Sequence, residues 1–147
     1  MQAVVSDNIS RAIDRFHIFR TLDDKTKQRL KEAGRFRAFA PGQVLVREGD
    51  TSGDLYLIDS GKVEIKMHTE DKDVVLAELG QGELLGEVPA ITGVKRTSTA
   101  TALEMVNAVI FPAELIREIA KSDADFKQAV LKIIETRAVD TMSKTVS

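Results

Sequence analysis

The apolar positions change their period twice along the chain. Up to Ala33 they recur at helical spacing. Ile9, Ile13 and Phe16 fall on one face of a helix predicted over residues 7–19, with Ser6 or Asp7 to cap it and His17 and Phe19 near its end. Asp23 predicts the cap of a second helix running to Ala33. Leu22, Thr26, Leu30 and Ala33 share one side of it, and Gly34 is its expected stop.

From Phe36 the period shortens to alternation. Phe36 and Phe39 flank a short strand, and Pro41-Gly42 reads as a turn. Val44-Leu45-Val46 is a second strand. Glu48 to Asp54 is a turn-rich loop before the apolar run Leu55-Tyr56-Leu57-Ile58. Ser60-Gly61 turns into a strand on which Val63, Ile65 and Met67 alternate with Glu64 and Lys66. Val74 to Ala77, Thr97 to Ala102 and Met105 to Ile110 complete the set. About eight short strands with turns between them predict an all-β barrel or a jelly roll.

Beyond Phe111 the helical period returns. Pro112 predicts the start of a helix with Leu115, Ile116 and Ile119 on its apolar side. Ser122 or Asp123 predicts the cap of a last helix to about Met142. Its apolar residues form two seams, Phe126-Val130-Ile133 and Leu131-Ile134-Ala138-Met142. At about 100° per residue these lie on neighbouring faces. One seam packs on the barrel. The other is either part of one wide buried face or open to a partner, including the same helix of a second subunit.

Composition narrows the chemistry. A chain of 147 residues fits one domain and can bury a real core. The net charge of −2 gives no general attraction to nucleic acid. Its distribution is uneven: residues 1–50 carry 10 basic and 7 acidic side chains, and residues 51–100 carry 5 and 9. An anionic ligand of the central third therefore needs local donors. There is no cysteine, no apolar run of membrane-spanning length and no signal-peptide core, so a cytoplasmic protein without membrane contact is expected. His17 and His68 are the two histidines and share no ligand spacing, so neither a metal site nor an enzyme is expected.

The segment from Gly82 to Ala100 carries the candidate chemistry. Gly86 lets the backbone approach a ligand closely. Val88-Pro89-Ala90-Ile91 is one predicted helical turn whose first N–H groups face an anion. Arg96, nine positions after Glu87, offers a planar fork of donors suited to phosphate. Glu87 accepts only, which suits a sugar hydroxyl beside that phosphate. Together these describe a site for the sugar-phosphate part of a nucleotide.

This segment resembles the phosphate-binding cassette of the cyclic-nucleotide-binding domains, the family of protein kinase A regulatory subunits, the catabolite activator protein and cyclic-nucleotide-gated channels. Val46-Arg47-Glu48-Gly49-Asp50, Leu55 to Ile58 and Gly61-Lys62-Val63 resemble the first half of the same family's barrel. The resemblance covers roughly residues 16 to 142. It implies an eight-stranded jelly-roll β-barrel over residues 36–111, with the cassette at 84–100, N-terminal helices in 1–35 and two C-terminal helices in 112–147.

By the same resemblance the ligand is cAMP, or alternatively cGMP. Glu87 takes the ribose 2′-OH, Arg96 the exocyclic phosphate oxygens, and Thr97 adds its N–H and hydroxyl. Ile65, Leu76 and Ala77 align with strands that line the base pocket, and Thr141 of the last helix reaches the base. Pro89 departs from the family pattern, because many members have an alanine there whose N–H meets the phosphate. The resemblance implies a sensor whose C-terminal helices move when the ligand binds. The alternative is a degenerate barrel that only dimerises or docks a partner. Nothing after the last predicted helix reads as a DNA-binding element, so no direct nucleic-acid binding is expected of this chain.

Overall fold

The apolar runs at Leu55 to Ile58 and Ala108 to Phe111 end side by side in one sheet. The computed structural model describes residues 2–51 and 53–146, and the side chains of 8–51, 53–86 and 89–137. In chain order the strands are β1 (Arg35–Phe39), β2 (Val44–Val46), β3 (Leu55–Ser60), β4 (Val63–His68), β5 (Asp73–Leu79), β6 (Leu84–Leu85), β7 (Thr99–Ala102) and β8 (Val106–Phe111). They form two four-stranded sheets, ordered β1-β8-β3-β6 and β2-β7-β4-β5, with antiparallel pairing throughout. This is the mainly β, jelly-roll architecture expected above.

Around β3 and β8 the first sheet is covered on both faces. Tyr56, Ile58, Val106, Ala108 and Ile110 point into the barrel, where they meet Val63, Ile65, Leu76 and Ala100. Leu55, Leu57, Val109 and Phe111 point the other way, onto Ile13, Phe19, Leu30, Ile116 and Phe126 of the helices. A strand with core on both sides carries no alternation, which is why β3 and β8 read as apolar runs. The second sheet has one core face. On β4, Val63 and Ile65 are buried while Glu64 and Lys66 lie half-buried, 3.4 Å apart as an ion pair. Each fully buried Leu, Ile or Phe contributes about 1.5–3 kcal/mol, so these two clusters hold the fold. Phe19 anchors the helical cluster, edge-on to Phe111 at 5.4 Å and stacked on Phe126 at 6.0 Å.

Among the described residues six helices flank the sheets: α1 (Gln2–Arg15), α2 (His17–Arg20), α3 (Asp24–Ala33), α4 (Glu87–Thr92), α5 (Ala113–Ser122) and α6 (Ala124–Val146). The helix predicted over 7–19 is thus two. Phe16 is extended (φ −81°, ψ 127°), and this break lets Phe16, Ile18 and Phe19 all reach the core, which a continuous helix turning about 100° per residue does not allow. Ser6 and Asp7 lie inside α1 and do not cap it. Asp23 does cap α3, accepting from the Thr26 N–H at 2.7 Å. Gly34 ends α3 without a left-handed turn (φ −68°). Its missing side chain is used for packing instead, since a Cβ there would stand 3.0 Å from the Phe111 ring and 3.2 Å from Ile9.

At the C-terminal side, Pro112 is the extended residue before α5, not its first helical residue. Asp123 is the cap of α6, accepting from the Phe126 N–H at 3.0 Å, whereas the Ser122 hydroxyl donates back to the carbonyls of α5. On α6, Phe126 and Val130 are buried, and Ile133 and Ile134, one from each seam, both pack on the helical cluster. Leu131 remains 37% exposed. Ala138 and Met142 of the second seam lie outside the described side chains. The helix packs against α2, α4, α5 and β5. Among the described residues no helix is long and apolar enough to cross a membrane.

Candidate functional site

The segment 84–100 carries the chain from one sheet to the other. β6 pairs with β3 in the first sheet through Tyr56 and Leu85, and β7 pairs with β2 and β4 in the second. Leu84 and Leu85 are adjacent, so their side chains point to opposite faces, Leu84 to the helical cluster and Leu85 to the barrel interior. Both are buried, which fixes the start of the crossing. This two-residue strand was not expected from the sequence, because an apolar pair carries no period. The crossing itself is α4, bounded by Gly86 and Gly93, both left-handed at φ 89° and 75°.

Arg96 follows the crossing and is the one charged or polar residue buried among those described, at 4% exposure. Its backbone is tied to the loop between β2 and β3: the Arg96 N–H donates to the Asp50 carbonyl at 2.9 Å, and the Gly49 N–H donates to the Arg96 carbonyl at 2.8 Å. Its guanidinium Nη2 donates to the Asp54 carbonyl at 2.6 Å. The guanidinium carbon lies 5.9 Å from the centre of the Tyr56 ring, within cation–π range. Burial raises the Tyr56 phenol above its ordinary pKa, with the nearby Arg96 charge opposing the shift. The phenol stays neutral and is placed to donate to the Leu45 carbonyl at 3.4 Å.

Gly86 makes room for that guanidinium. A Cβ on Gly86 would fall 1.9 Å from Arg96 Nη1 and 3.0 Å from the Asp54 carbonyl oxygen, and φ 89° already disfavours any side chain. The structure therefore brings Gly86 and Arg96, ten positions apart in sequence, into direct contact. Pro89 is the third helical residue of α4 and is buried. The first intrahelical bond runs from the Ala90 N–H to the Gly86 carbonyl at 3.0 Å, so the missing N–H of Pro89 removes no helical bond. What it removes is a donor at the helix N-terminus. Glu87 and Val88 open α4, and their side chains lie outside those described. Thr97 is exposed directly after Arg96.

The residues expected at the base end lie together in the second sheet. Ile65 pairs with Ala77 on one side and Ala100 on the other. The register steps from Ile65↔Ala77 to Lys66↔Val75, a bulge at Leu76 that turns Leu76 and Ala77 toward the same barrel cluster. Thr141 sits on α6 beyond the described side chains. At the far end of this hairpin His68 Nδ1 lies 2.8 Å from Asp73, and that hydrogen bond, then the carboxylate charge, raises the imidazole pKa.

Asp54 and Tyr56 were not legible as site residues. Asp54 lies 42 positions from Arg96, and no spacing rule links them. The structure makes Asp54 a junction: its carbonyl holds Arg96, while its carboxylate accepts from the Ala113 N–H at the start of α5 (3.3 Å) and pairs with Arg35 (3.1 Å). The turn at Gly49-Asp50 was visible as a motif of the fold, and the structure adds its grip on the Arg96 backbone.

Comparison with known proteins extends this picture. The family model described as the cyclic nucleotide-binding domain matches residues 36–123, more than half of the chain. A lysophospholipase nte1 from Neurospora crassa is 37% identical over 97 residues, covering 65% of this chain and 6% of that protein. The chain thus spans only a small fraction of such relatives. Among solved structures, cAMP-bound PfPKA-R superposes with a TM-score of 0.69 at 28% identity, over 79% of this chain and 42% of that one. The regulatory subunit of a cAMP-independent protein kinase A from Trypanosoma brucei superposes with a TM-score of 0.77 at 18% identity, over 90% and 48%.

Proposed function

The chain belongs to the cyclic nucleotide-binding domain family, and from that premise we propose that it is a regulatory module that binds cAMP at segment 84–100. The observation that carries this reading is the buried Arg96 lying across Gly86. Burying a cation is costly, and here the space for it exists because position 86 has no side chain. A guanidinium held at the mouth of a helix N-terminus is matched to a phosphate. Arg96 takes the exocyclic oxygens, with Gly86, Val88, Pro89 and Thr97 around them. Glu87 takes the ribose 2′-OH. Ile65, Leu76 and Ala77 line the base, and Thr141 reaches it from α6.

In this reading residues 1–147 act as one domain in the cytoplasm. The signal runs into the C-terminal helices, because α4 packs directly on α5 and α6. A ligand that holds α4 in one position biases the helices that rest on it. Pairing of two copies through α6 belongs to the same proposal.

A charge-assisted contact of the Arg96 kind is worth about 1.5–3 kcal/mol, so Arg96→Ala weakens cAMP binding roughly ten- to a hundredfold or more. Calorimetric titration of the wild type and the variant, with urea unfolding to establish that both fold, tests this. Equal affinity would place the phosphate elsewhere. No heat and no thermal shift for the wild type with cAMP or cGMP at about millimolar concentration would favour the second reading, a ligand-free docking barrel. Pro89 is the residue that favours that alternative, since it withholds a donor from the phosphate.

A further inference from the structure

Between α4, α5 and α6 lies a hollow of about 160 Å³ that no part of the nucleotide reading uses. Its floor is Ile91 of α4 and Ala120 of α5, and its walls are Arg117, Lys121 and Lys127. Ile91 is half-buried, Lys121 and Lys127 are exposed, and Arg117 stands with Nη1 3.4 Å from where a Cβ on Gly93 would lie, at the C-terminal end of α4. Among the described residues none of the three cations is ion-paired. Asp123, two residues from Lys121, is engaged as the cap of α6, and Glu118, next to Arg117, pairs with Arg29.

Helix electrostatics explain only part of this. Arg117 and Lys121 sit near the C-terminal ends of α4 and α5, where a cation is favoured. Lys127 is the fourth residue of α6, one turn from an N-terminus, where the helix dipole opposes a cation. Three cationic side chains therefore rim an apolar hollow in a chain whose net charge is −2.

We propose that this hollow is a docking site for an acidic segment of another protein that carries one aliphatic or aromatic side chain. The side chain fills the hollow over Ile91 and Ala120, and flanking carboxylates meet Arg117, Lys121 and Lys127. Concavity and charge select this occupant. A lipid surface is engaged by apolar side chains that protrude, whereas this floor is recessed between cations. The volume suits a single side chain, and the walls supply the charge complement that sets specificity and association rate.

The test uses the whole chain without nucleotide, so its outcome is independent of Arg96. Fluorescein-labelled seven-residue peptides are titrated by anisotropy: a centre of Phe or Leu flanked by Glu, the same flanks with a central Ser, and a Phe centre flanked by Lys. The first series is expected to bind with Kd below about 100 µM, and the Ser-centred peptide about tenfold more weakly. Binding should fall steeply with added salt. The double variant Arg117→Glu/Lys121→Glu should lose about a hundredfold, at roughly tenfold per reversed charge, while Lys121→Arg keeps wild-type affinity. Melting curves establish that the variants fold. The proposal is overturned if the acidic apolar peptides bind no better than the other two, if charge reversal leaves their affinity unchanged, or if phosphatidylserine vesicles bind through these cations while the peptides do not.

Discussion

At the phosphate end of the proposed site a charged side chain is buried and held from several directions. The Asp54 carbonyl, the Tyr56 ring, the backbone of Gly49 and Asp50, and the bare α-carbon of Gly86 all bear on Arg96. At the base end, Ile65, Leu76 and Ala77 are ordinary members of the barrel core, placed by strand register and one bulge. Polar groups are costly to bury unless their surroundings are specific, so the first arrangement points to a ligand. Apolar residues are buried in any barrel, so the second constrains shape and volume without selecting a chemistry. In the proposed site the base is thus the part of the nucleotide that the described residues specify least.

Substitutions that enter one end and spare the other probe this contrast. The largest effect is expected for Gly86→Ala. Its left-handed conformation costs about 1–2 kcal/mol with a side chain present. The new Cβ also displaces Arg96, so cAMP affinity should fall at least as far as in Arg96→Ala. Urea unfolding and calorimetry read the two losses separately, and a Gly86→Ala protein that binds normally would show that the contact is incidental. Pro89→Ala acts at the same end in the opposite direction. It restores an N–H at a helix position that needs no intrahelical bond, for a gain of about 1 kcal/mol or roughly fivefold in affinity. No gain on titration would mean that the phosphate does not sit on that N–H.

Changes at the base end should be felt by the fold before the ligand. Ile65→Val leaves a small void in the barrel and is expected to cost about 0.5–1.5 kcal/mol of stability. Its effect on affinity should be smaller than that of any change at Gly86 or Arg96, and a larger one would promote Ile65 from core residue to ligand contact. The smallest effect concerns pH. His68 at the end of the same hairpin has its pKa raised above 6.5 by the Asp73 hydrogen bond and charge. The protonated form is the one the fold favours, so this contribution is present below the unfolded value and fades as pH rises through the folded one. Both side chains are exposed, so the contribution is slight. An NMR titration of His68 should show the shift, and Asp73→Asn should remove it without changing cAMP affinity.

Much of the fold was legible because its signals are local. Alternation on β4, the Asp23 cap and the glycine turns each report on a few neighbouring residues. Misreadings arose where a local signal had two structural outcomes. The run 7–19 has helical period, yet Phe16 breaks it so that three apolar side chains reach the core. Gly34 does end its helix as expected, but with φ −68° and as a small residue pressed against Phe111 and Ile9, not through a left-handed turn.

The sequence by itself determined the period of the longer segments, their order apart from the α1–α2 break and β6, and the spacing of Gly86, Glu87 and Arg96 along the chain. These depend on backbone geometry within a turn or a strand. Only the tertiary structure decided that Arg96 is buried, that Gly86 is what gives it room, and that Asp54 and Tyr56 are its neighbours. It also decided that three cations on two helices surround one apolar hollow. Such contacts join residues from ten to more than forty positions apart, and they exist only once two sheets and three helices have closed on one another.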